Sequence, residues 1–228
     1  MLALARLLIF CLLVPFTANA TNAQIAPSNG EKARYEGLFE AANAGDVEEI
    51  RRLVGAGANI EARDSNGRTA LHIAAHASHD DALRALSELG ADLNALEGQA
   101  YDVVTIAAVA NDPDLMSLAI NLGNSPRLTT SPYDGTALIA AAHLGHVEVV
   151  RRLITAGSPL DHVNNLGWTA LIEAVILGDG GANHQTIVRL LLAAGADRKI
   201  ADREGITPLQ HAEARGYSEI ASILRPKQ

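Results

Sequence analysis

Length, charge and cysteine content already exclude several classes of protein. The chain has 228 residues, a net charge of -8 at pH 7 and a single cysteine, Cys11. Runs of Lys or Arg never exceed the pairs Arg51-Arg52 and Arg151-Arg152. Because phosphate binding requires a net basic face, we expect no nucleic-acid partner.

The first 20 residues have the pattern of a secretory signal peptide. Arg6 precedes an apolar run from Leu7 to Val14, and Ala18-Asn19-Ala20 matches an A-x-A cleavage site. An apolar stretch of about ten residues is too short for a spanning helix, which needs roughly 20, so cleavage after Ala20 is favoured over retention as an anchor. Cleavage would remove Cys11, and with it any disulfide, thiolate metal site or cysteine nucleophile. The mature chain has no Asn-x-Ser/Thr site, and we expect a periplasmic protein with no membrane contact after cleavage.

Residues 21–32 show no periodicity and are predicted to be a loop that tethers the amino terminus to the rest of the chain. A unit of two short helices follows and is clearest from Thr136 to Gly157. Thr136 can cap the first helix, Gly145 can end it, and the apolar spacing within residues 147–154 predicts an amphipathic second helix. Because such a hairpin cannot bury both faces alone, neighbouring copies must complete its core.

The unit recurs six times along the chain. The position of Thr136 recurs at spacings of 33, 33, 34, 33 and 38 residues, at Glu36, Thr69, Asp102, Thr136, Thr169 and Thr207. A period of about 33 residues with the segment Thr69-Ala70-Leu71-His72-Ile73-Ala74-Ala75 resembles the ankyrin-repeat family. The resemblance implies an all-α solenoid of six ankyrin repeats, each a helix-turn-helix with a short β-hairpin loop. The implied repeats are residues 33–63, 64–96, 97–130, 131–163, 164–201 and 202–225, followed by a tail at 226–228.

Three segments depart from the ankyrin pattern. Repeat 3 has Asp102 in place of the capping threonine and Asp112-Pro113 at its second helix, and both can begin a helix. One extra residue between Gly123 and Thr136 predicts a differently shaped hairpin. Repeat 5 has five extra residues around a predicted loop at 178–185, which lacks the lysine and hydroxyl of a phosphate-binding loop. This insertion resembles one in ankyrin proteins exported to the bacterial periplasm.

A cluster of histidines and aspartates in repeat 2 raises the alternative of a metal site. It consists of His72, His76, His79, Asp80 and Asp81. The ankyrin resemblance instead implies that His72 is a buried hydrogen-bonding residue, and the residues from 79 to 81 are expected to start a helix. No nucleophile-base motif or metalloprotease motif occurs, so we expect no enzyme activity, no metal and no cofactor.

The resemblance also implies where a partner would bind, because ankyrin arrays bind proteins through hairpin tips and the exposed side of the first helices. At the tips it selects Arg68, Tyr101, Tyr133 and Trp168. On the first helices it selects His76, Val109, His143, Leu144, Ile176 and Leu177. We expect the aromatic tips to form an exposed surface that dominates an interface. The alternative is that one or two of these side chains pack over a neighbouring hairpin.

The sequence therefore predicts a monomeric, exported module that binds another protein through a concave groove. Within the resemblance, exported bacterial ankyrin proteins are associated with oxidative-stress protection alongside enzymes such as catalase, and with immunity-type inhibition of cell-wall enzymes. The residues do not choose between protecting, scaffolding and inhibiting a partner. A histidine-dependent metal-binding or enzymatic role is the alternative from another class.

Overall fold

The computed structural model describes residues 26–226, and all of its regular elements are helices. The predicted signal peptide, its cleavage site and Cys11 lie outside these residues. The helices are α1 (Asn29–Lys32), α2 (Leu38–Ala44), α3 (Val47–Gly55), α4 (Ala70–His76), α5 (Asp80–Glu88), α6 (Val103–Val109), α7 (Pro113–Leu122), α8 (Ala137–Leu144), α9 (Val147–Thr155), α10 (Ala170–Ile176), α11 (Ala182–Ala194), α12 (Pro208–Ala214) and α13 (Ser218–Leu224). Among these helices, none combines the length and the apolar character needed to cross a membrane.

From α2 onward, the described helices form consecutive pairs that stack in two layers. The first helices of the pairs contact one another in the order α2, α4, α6, α8, α10 and α12, and the second helices do so in the order α3, α5, α7, α9, α11 and α13. Apolar side chains from both layers, such as Leu71 of α4 and Leu86 of α5, are fully buried between them. The predicted all-α solenoid is therefore confirmed.

Several helices begin or end at the residues that the sequence indicates. Thr136 begins α8 by accepting a hydrogen bond from the Ile139 N–H at 3.3 Å, and Gly145 ends it with a φ of 76°. The carboxylates of Asp102 and Asp112 cap α6 and α7 in the same way. Because these groups satisfy N–H and C=O groups that a helix leaves free at its ends, each short helix is bounded locally.

A turn joins each repeat to the next, and most of these turns are closed by one backbone hydrogen bond of similar geometry. The N–H groups of Asp64, Glu97, Asn164 and Asp202 donate to the carbonyls of Arg68, Tyr101, Trp168 and Ile206, at 2.9, 3.0, 3.0 and 3.0 Å. In repeat 4 the Thr130 N–H instead donates to the Gly135 carbonyl, which is one residue further along. The predicted difference in this hairpin is confirmed, although within residues 26–226 it amounts to an isolated bridge and not to a strand pair.

The predicted loop at residues 21–32 is wrong for its last part, because Asn29–Lys32 form α1. Ser28 begins this helix through a reciprocal capping box in which its hydroxyl accepts from the Glu31 N–H, and the Glu31 carboxylate accepts from the Ser28 N–H at 2.8 Å. The Glu31 carboxylate also accepts hydrogen bonds from Asn66 and Arg68 of the first turn. This segment thus covers the amino-terminal end of the array instead of hanging free.

The predicted insertion loop at 178–185 is also partly wrong, because residues 182–185 belong to α11. As a result α11 has 13 residues, whereas α9 has 9, and residues 177–181 connect it to α10. His184 ties this connection to repeat 4 by donating from Nε2 to the His143 carbonyl at 3.0 Å. On the other side, the Tyr217 hydroxyl donates to the Gly178 carbonyl at 3.1 Å. The insertion is therefore built into the helix stack.

Candidate functional site

The predicted partner-binding residues lie on two rows of the molecule. One row is formed by the turns between repeats, and the other, the groove row, lies at the ends of the first helices. The surface made by both rows is called the groove here. Tyr133 of the turn row is 39% exposed, and Leu144 of the groove is 43% exposed. The others that reach the surface are half-buried: His76, Val109, His143, Trp168, Ile176 and Leu177. The structure therefore places the most accessible part of both rows at repeat 4.

The expected exposure of Arg68 is wrong, because this side chain is 1% exposed. Its guanidinium donates to Asp64 Oδ2 at 2.8 Å and to the Glu31 carboxylate, while the Tyr35 hydroxyl donates to Asp64 at 3.0 Å. Hydrogen bonds from Ser28, together with the neighbouring Arg68, lower the pKa of Glu31 to about 2. Both carboxylates are thus ionised at neutral pH, and Arg68 is held by its own chain instead of facing a partner.

The expected exposure of Tyr101 is wrong as well, because this side chain is only 6% exposed and belongs to the hydrophobic core. Its hairpin is bonded to both neighbouring turns, since the Gly98 N–H donates to the Asn66 carbonyl at 2.9 Å and the Ser131 N–H donates to the Ala100 carbonyl at 2.7 Å. Neighbouring turns therefore cover the ring, and burial raises the pKa of Tyr101. A continuous surface of three exposed aromatic tips does not form.

Glu173, in the middle of α10, was missed by the sequence analysis. It is 6% exposed, and burial raises its pKa to about 7. Its Oε1 accepts a hydrogen bond from Asn164 Nδ2 at 2.7 Å, and its Oε2 lies 3.7 Å from His143 Nδ1 in the groove. A signal was present in the sequence, because α10 reads Ala-Leu-Ile-Glu-Ala-Val-Ile and repeats 2, 3, 4 and 6 place Ile73, Ile106, Ala140 and His211 at the same position. Repeat 1 has Glu40 there, but at the end of the array that side chain is exposed.

Two exposed apolar side chains were also missed. Val163 is 46% exposed and Ile206 is 37% exposed. Ile206 immediately precedes Thr207, as Trp168 precedes Thr169 in the preceding repeat, so the same repeat position indicated it as a tip residue. Val163 precedes the turn of repeat 5, and no sequence signal marks it as an exposed apolar residue.

The histidines of repeat 2 have contacts that differ from those of a metal site. Burial lowers the pKa of His72 to about 4, and its Nε2 lies 3.0 Å from the Ala95 carbonyl. His79 precedes α5, and its Nε2 lies 3.1 Å from the Asn43 carbonyl of the preceding repeat. Burial lowers the pKa of His76 to about 4. Within residues 26–226, no three His, Cys, Asp or Glu side chains come together in an arrangement that could hold a metal ion.

Comparisons with known proteins agree with this architecture. A family model described as "Ankyrin repeats (3 copies)" matches residues 4–97 and 104–202. The ankyrin repeat protein YahD of Escherichia coli (strain K12) is 35% identical over 186 residues, which cover 81% of this chain and 92% of YahD. The crystal structure of an ankyrin repeat domain from Acinetobacter baumannii AYE is similar with 46% identity and a TM-score of 0.77, covering 82% of this chain and 95% of that domain.

A more distant structural neighbour is the ankyrin repeat domain of Bcl-3, a member of the IkappaB protein family. It is 26% identical with a TM-score of 0.74, and the match covers 84% of this chain and 85% of that domain. Ankyrin repeats are protein–protein interaction modules and are typically non-catalytic. The phased markers, the two-layered helix stack and these matches lead to one conclusion: the chain belongs to the ankyrin-repeat family.

Proposed function

We propose that the chain is an exported, non-catalytic module that works in the periplasm by binding one partner protein through its groove. Binding would protect, scaffold or inhibit that partner. The observation that carries the proposal is the accessible apolar surface at repeats 4 and 5, where Leu144 of the groove and Tyr133 of the adjacent turn are both more than a third exposed. Exposed apolar side chains grouped on one side of a protein typically mark an interaction site.

The neighbouring residues extend this surface. Ile176 and Leu177 lie at the same positions of the next first helix, and Trp168 lies in the next turn, and all three are half-buried. The turn of repeat 5 is fixed to that of repeat 4 by a hydrogen bond from the Asn165 N–H to the Tyr133 carbonyl at 2.9 Å. The surface is therefore held by the fold before any partner arrives, which lowers the entropic cost of binding.

The periplasmic part of the proposal is supported by the signal-peptide pattern before Ala20 and by the resemblance of the repeat 5 insertion to that of exported ankyrin proteins. Cell fractionation followed by amino-terminal sequencing tests it. A periplasmic protein that begins at Thr21 is the expected result. A protein that retains Met1 and remains in the cytoplasm would contradict it.

A pull-down from periplasmic extract of the source organism tests the binding surface. The mature chain is compared with a groove variant that combines Tyr133→Ala, Leu144→Ala and Trp168→Ala. We expect the groove variant to lose the partner, because truncation of each central apolar anchor costs roughly 2 kcal/mol of affinity. A control variant carries Glu48→Ala, Arg84→Ala and Asn121→Ala, which are exposed residues of the second helices α3, α5 and α7.

The control matches the number of truncated side chains but leaves the groove unchanged. Capture by the native chain and the control, with loss in the groove variant, supports the proposal. Equal capture by all three proteins would place the binding surface elsewhere.

A further inference from the structure

Glu173 is a buried acidic residue in the middle of a first helix, and its position is unusual for a charged side chain. It lies on α10 where the equivalent residues of α4 and α6 are Ile73 and Ile106, both fully buried in the core. Burying an ionised carboxylate is costly unless a cation or several hydrogen bonds stabilise it. The question is which group supplies that stabilisation.

The hydrogen bonds around Glu173 leave half of its carboxylate unsatisfied. Oε1 accepts from Asn164 Nδ2 at 2.7 Å, but Oε2 accepts no hydrogen bond from the residues that the structure describes. Oε2 is also not sealed from solvent, unlike the buried, unbonded Oε1 of Gln99. The free oxygen therefore keeps a small solvent exposure, and it lies 3.7 Å from Nδ1 of His143, whose side chain is 42% exposed.

Cations of the chain itself do not neutralise this carboxylate. Within residues 26–226 the only basic group within 4.0 Å of this carboxylate is His143, whose Nδ1 is 3.7 Å from Oε2. Burial lowers the pKa of His143, so its imidazole is neutral at pH 7. The other titratable or charged groups on the helices that pack against α10 are His184 and Arg189 on α11 and His211 and Glu213 on α12. His184 is bonded to Asp179, His211 to Asp202 and Glu213 to Arg225, while Arg189 lies near Glu219.

The same position in repeat 6 shows what a completed pair looks like. His211 occupies the position of Glu173, and Asp202 occupies that of Asn164. His211 Nε2 lies 2.6 Å from Asp202 Oδ2, so the carboxylate of repeat 6 has a basic partner within the chain. In repeat 5 an amide, Asn164, replaces the carboxylate and an acid, Glu173, replaces the base, so the pair has no basic member.

We propose that the Glu173 carboxylate binds one basic side chain, a lysine or an arginine, of the partner protein that occupies the groove. This inference rests on the proposed function, because it identifies the chemistry of the same surface. The surroundings suit a long basic side chain. Its aliphatic stem can pack on Leu144 and Ile176 while its charged group reaches Oε2. An arginine could also donate to the carboxylate through two N–H groups.

The proposal predicts a pH dependence with a definite sign. Because burial raises the pKa of Glu173 to about 7, the carboxyl is mostly protonated near pH 6 and mostly ionised near pH 8. Only the ionised form attracts a cation, so the fraction that is competent to bind rises with pH. Affinity for a basic ligand should therefore increase about tenfold between pH 6 and pH 8.

Panning a random peptide phage library on the mature chain provides the test. Peptides are kept if they bind the native chain and not the groove variant defined above. We expect them to share one lysine or arginine flanked by apolar residues. Replacing that basic residue with norleucine should weaken binding to the native chain about tenfold or more.

Two variants make the result specific to Glu173. In Glu173→Gln, the basic and norleucine peptides should bind equally well and the pH dependence should vanish. Glu48→Gln is the control, because it removes one acidic charge from the exposed face of α3 and should behave as the native chain does. Both variants have the same net charge, so a general electrostatic effect would change both.

The outcomes separate this inference from the proposed function. The role of Glu173 would be overturned if the groove-dependent peptides shared no basic residue. It would also be overturned if the basic residue mattered equally in Glu173→Gln. In both cases the groove would remain the binding surface. If the library yields only peptides that the groove variant binds equally well, both the role of Glu173 and the groove as the binding surface would be overturned.

Discussion

Repeats 2 and 5 hold buried charge in opposite ways, although their turns have the same backbone hydrogen bond. In repeat 2 the turn carries Asp64 and Arg68, which pair with each other, and Glu31 of α1 adds a second carboxylate. In repeat 5 the equivalent turn residues are Asn164 and Trp168, and the acidic group lies instead on α10 as Glu173. The first arrangement is complete within the chain, whereas the second lacks a cation.

The difference distinguishes buried charges that stabilise the fold from a buried charge that can bind a partner. A buried ion pair whose members are all present fixes the local structure, and removing one member leaves an uncompensated charge. A buried carboxylate without a cation destabilises the free protein but gains more from a basic ligand. We therefore assign the charge cluster of repeat 2 to the stability of the amino-terminal end and the carboxylate of repeat 5 to recognition.

Arg68→Ala tests the structural half of this comparison and should have the largest effect on stability. It removes the cation between Asp64 and Glu31, and breaking a buried pair in this way costs roughly 3 kcal/mol or more. Urea unfolding followed by circular dichroism measures the loss. The control is Arg84→Ala on the exposed face of α5, which should change stability by less than about 0.5 kcal/mol. Equal effects of the two substitutions would show that Arg68 contributes no more than a surface residue.

Glu173→Gln tests the other half and should stabilise the free protein at alkaline pH. The folded-state pKa of about 7 lies above the ordinary value of 4.5 for a glutamate, so the folded state binds more protons and the native chain loses stability as pH rises through this window. The gain from Glu173→Gln should therefore be roughly 3 kcal/mol at pH 8 and fall below about 0.5 kcal/mol near pH 4.5.

Other groups that titrate at acid pH change the unfolding free energy of both proteins equally, so they do not affect the difference between the native chain and Glu173→Gln. The pKa of His72 is lowered to about 4 from 6.5, so its contribution to stability is present above pH 6.5 and is lost as pH falls toward 4. Native chain and Glu173→Gln share that loss equally. Unfolding curves at several pH values measure the difference, and a gain that does not change with pH would show that the carboxyl is not buried as described.

Gly178→Ala should have a smaller effect, at the connection that distinguishes repeat 5 from repeat 2. A Cβ atom at this position would lie 2.1 Å from the Ala174 carbonyl oxygen and 2.7 Å from the His184 ring, so the connection must shift. We expect a loss of roughly 2 kcal/mol in thermal or urea unfolding. Gly55→Ala in α3 is the control, because a Cβ there meets no atom within 4 Å, and this variant should be neutral or slightly more stable. A similar loss in both variants would contradict the close packing at Gly178.

Most helices could be predicted from the sequence because their signals are local, although the first turn of α11 was predicted as a loop. The period of about 33 residues, the caps at Thr136 and Asp102, and the apolar spacing all act within one unit. Burial of the turn residues could not be predicted in this way, because it depends on contacts from neighbouring repeats. Arg68 is buried by Glu31, which lies 37 residues earlier and in a segment predicted to be a loop.

The candidate site could be predicted only in part from the sequence. An acidic residue in an otherwise apolar first helix is visible in the sequence at Glu173. Its lack of a cation is not visible, because that depends on the orientation of His143 in the preceding repeat and on the pairing of His211 in the next. Exposed positions such as Leu144 were predicted correctly because the groove row repeats with the helix pairs.

Tyr133→Ala should have the smallest effect on stability of these substitutions. The result distinguishes a turn residue that is available for binding from one that stabilises the fold. Tyr133→Ala removes a ring that is 39% exposed, so we expect unfolding to change by no more than about 0.5 kcal/mol. The matched control is Tyr101→Ala, which removes the same side chain from a buried position and should cost roughly 3 kcal/mol. Urea unfolding of both variants gives the comparison. If Tyr133→Ala is as destabilising as Tyr101→Ala, the turn of repeat 4 contributes to the core as that of repeat 3 does, and its aromatic residue is not free to serve a partner.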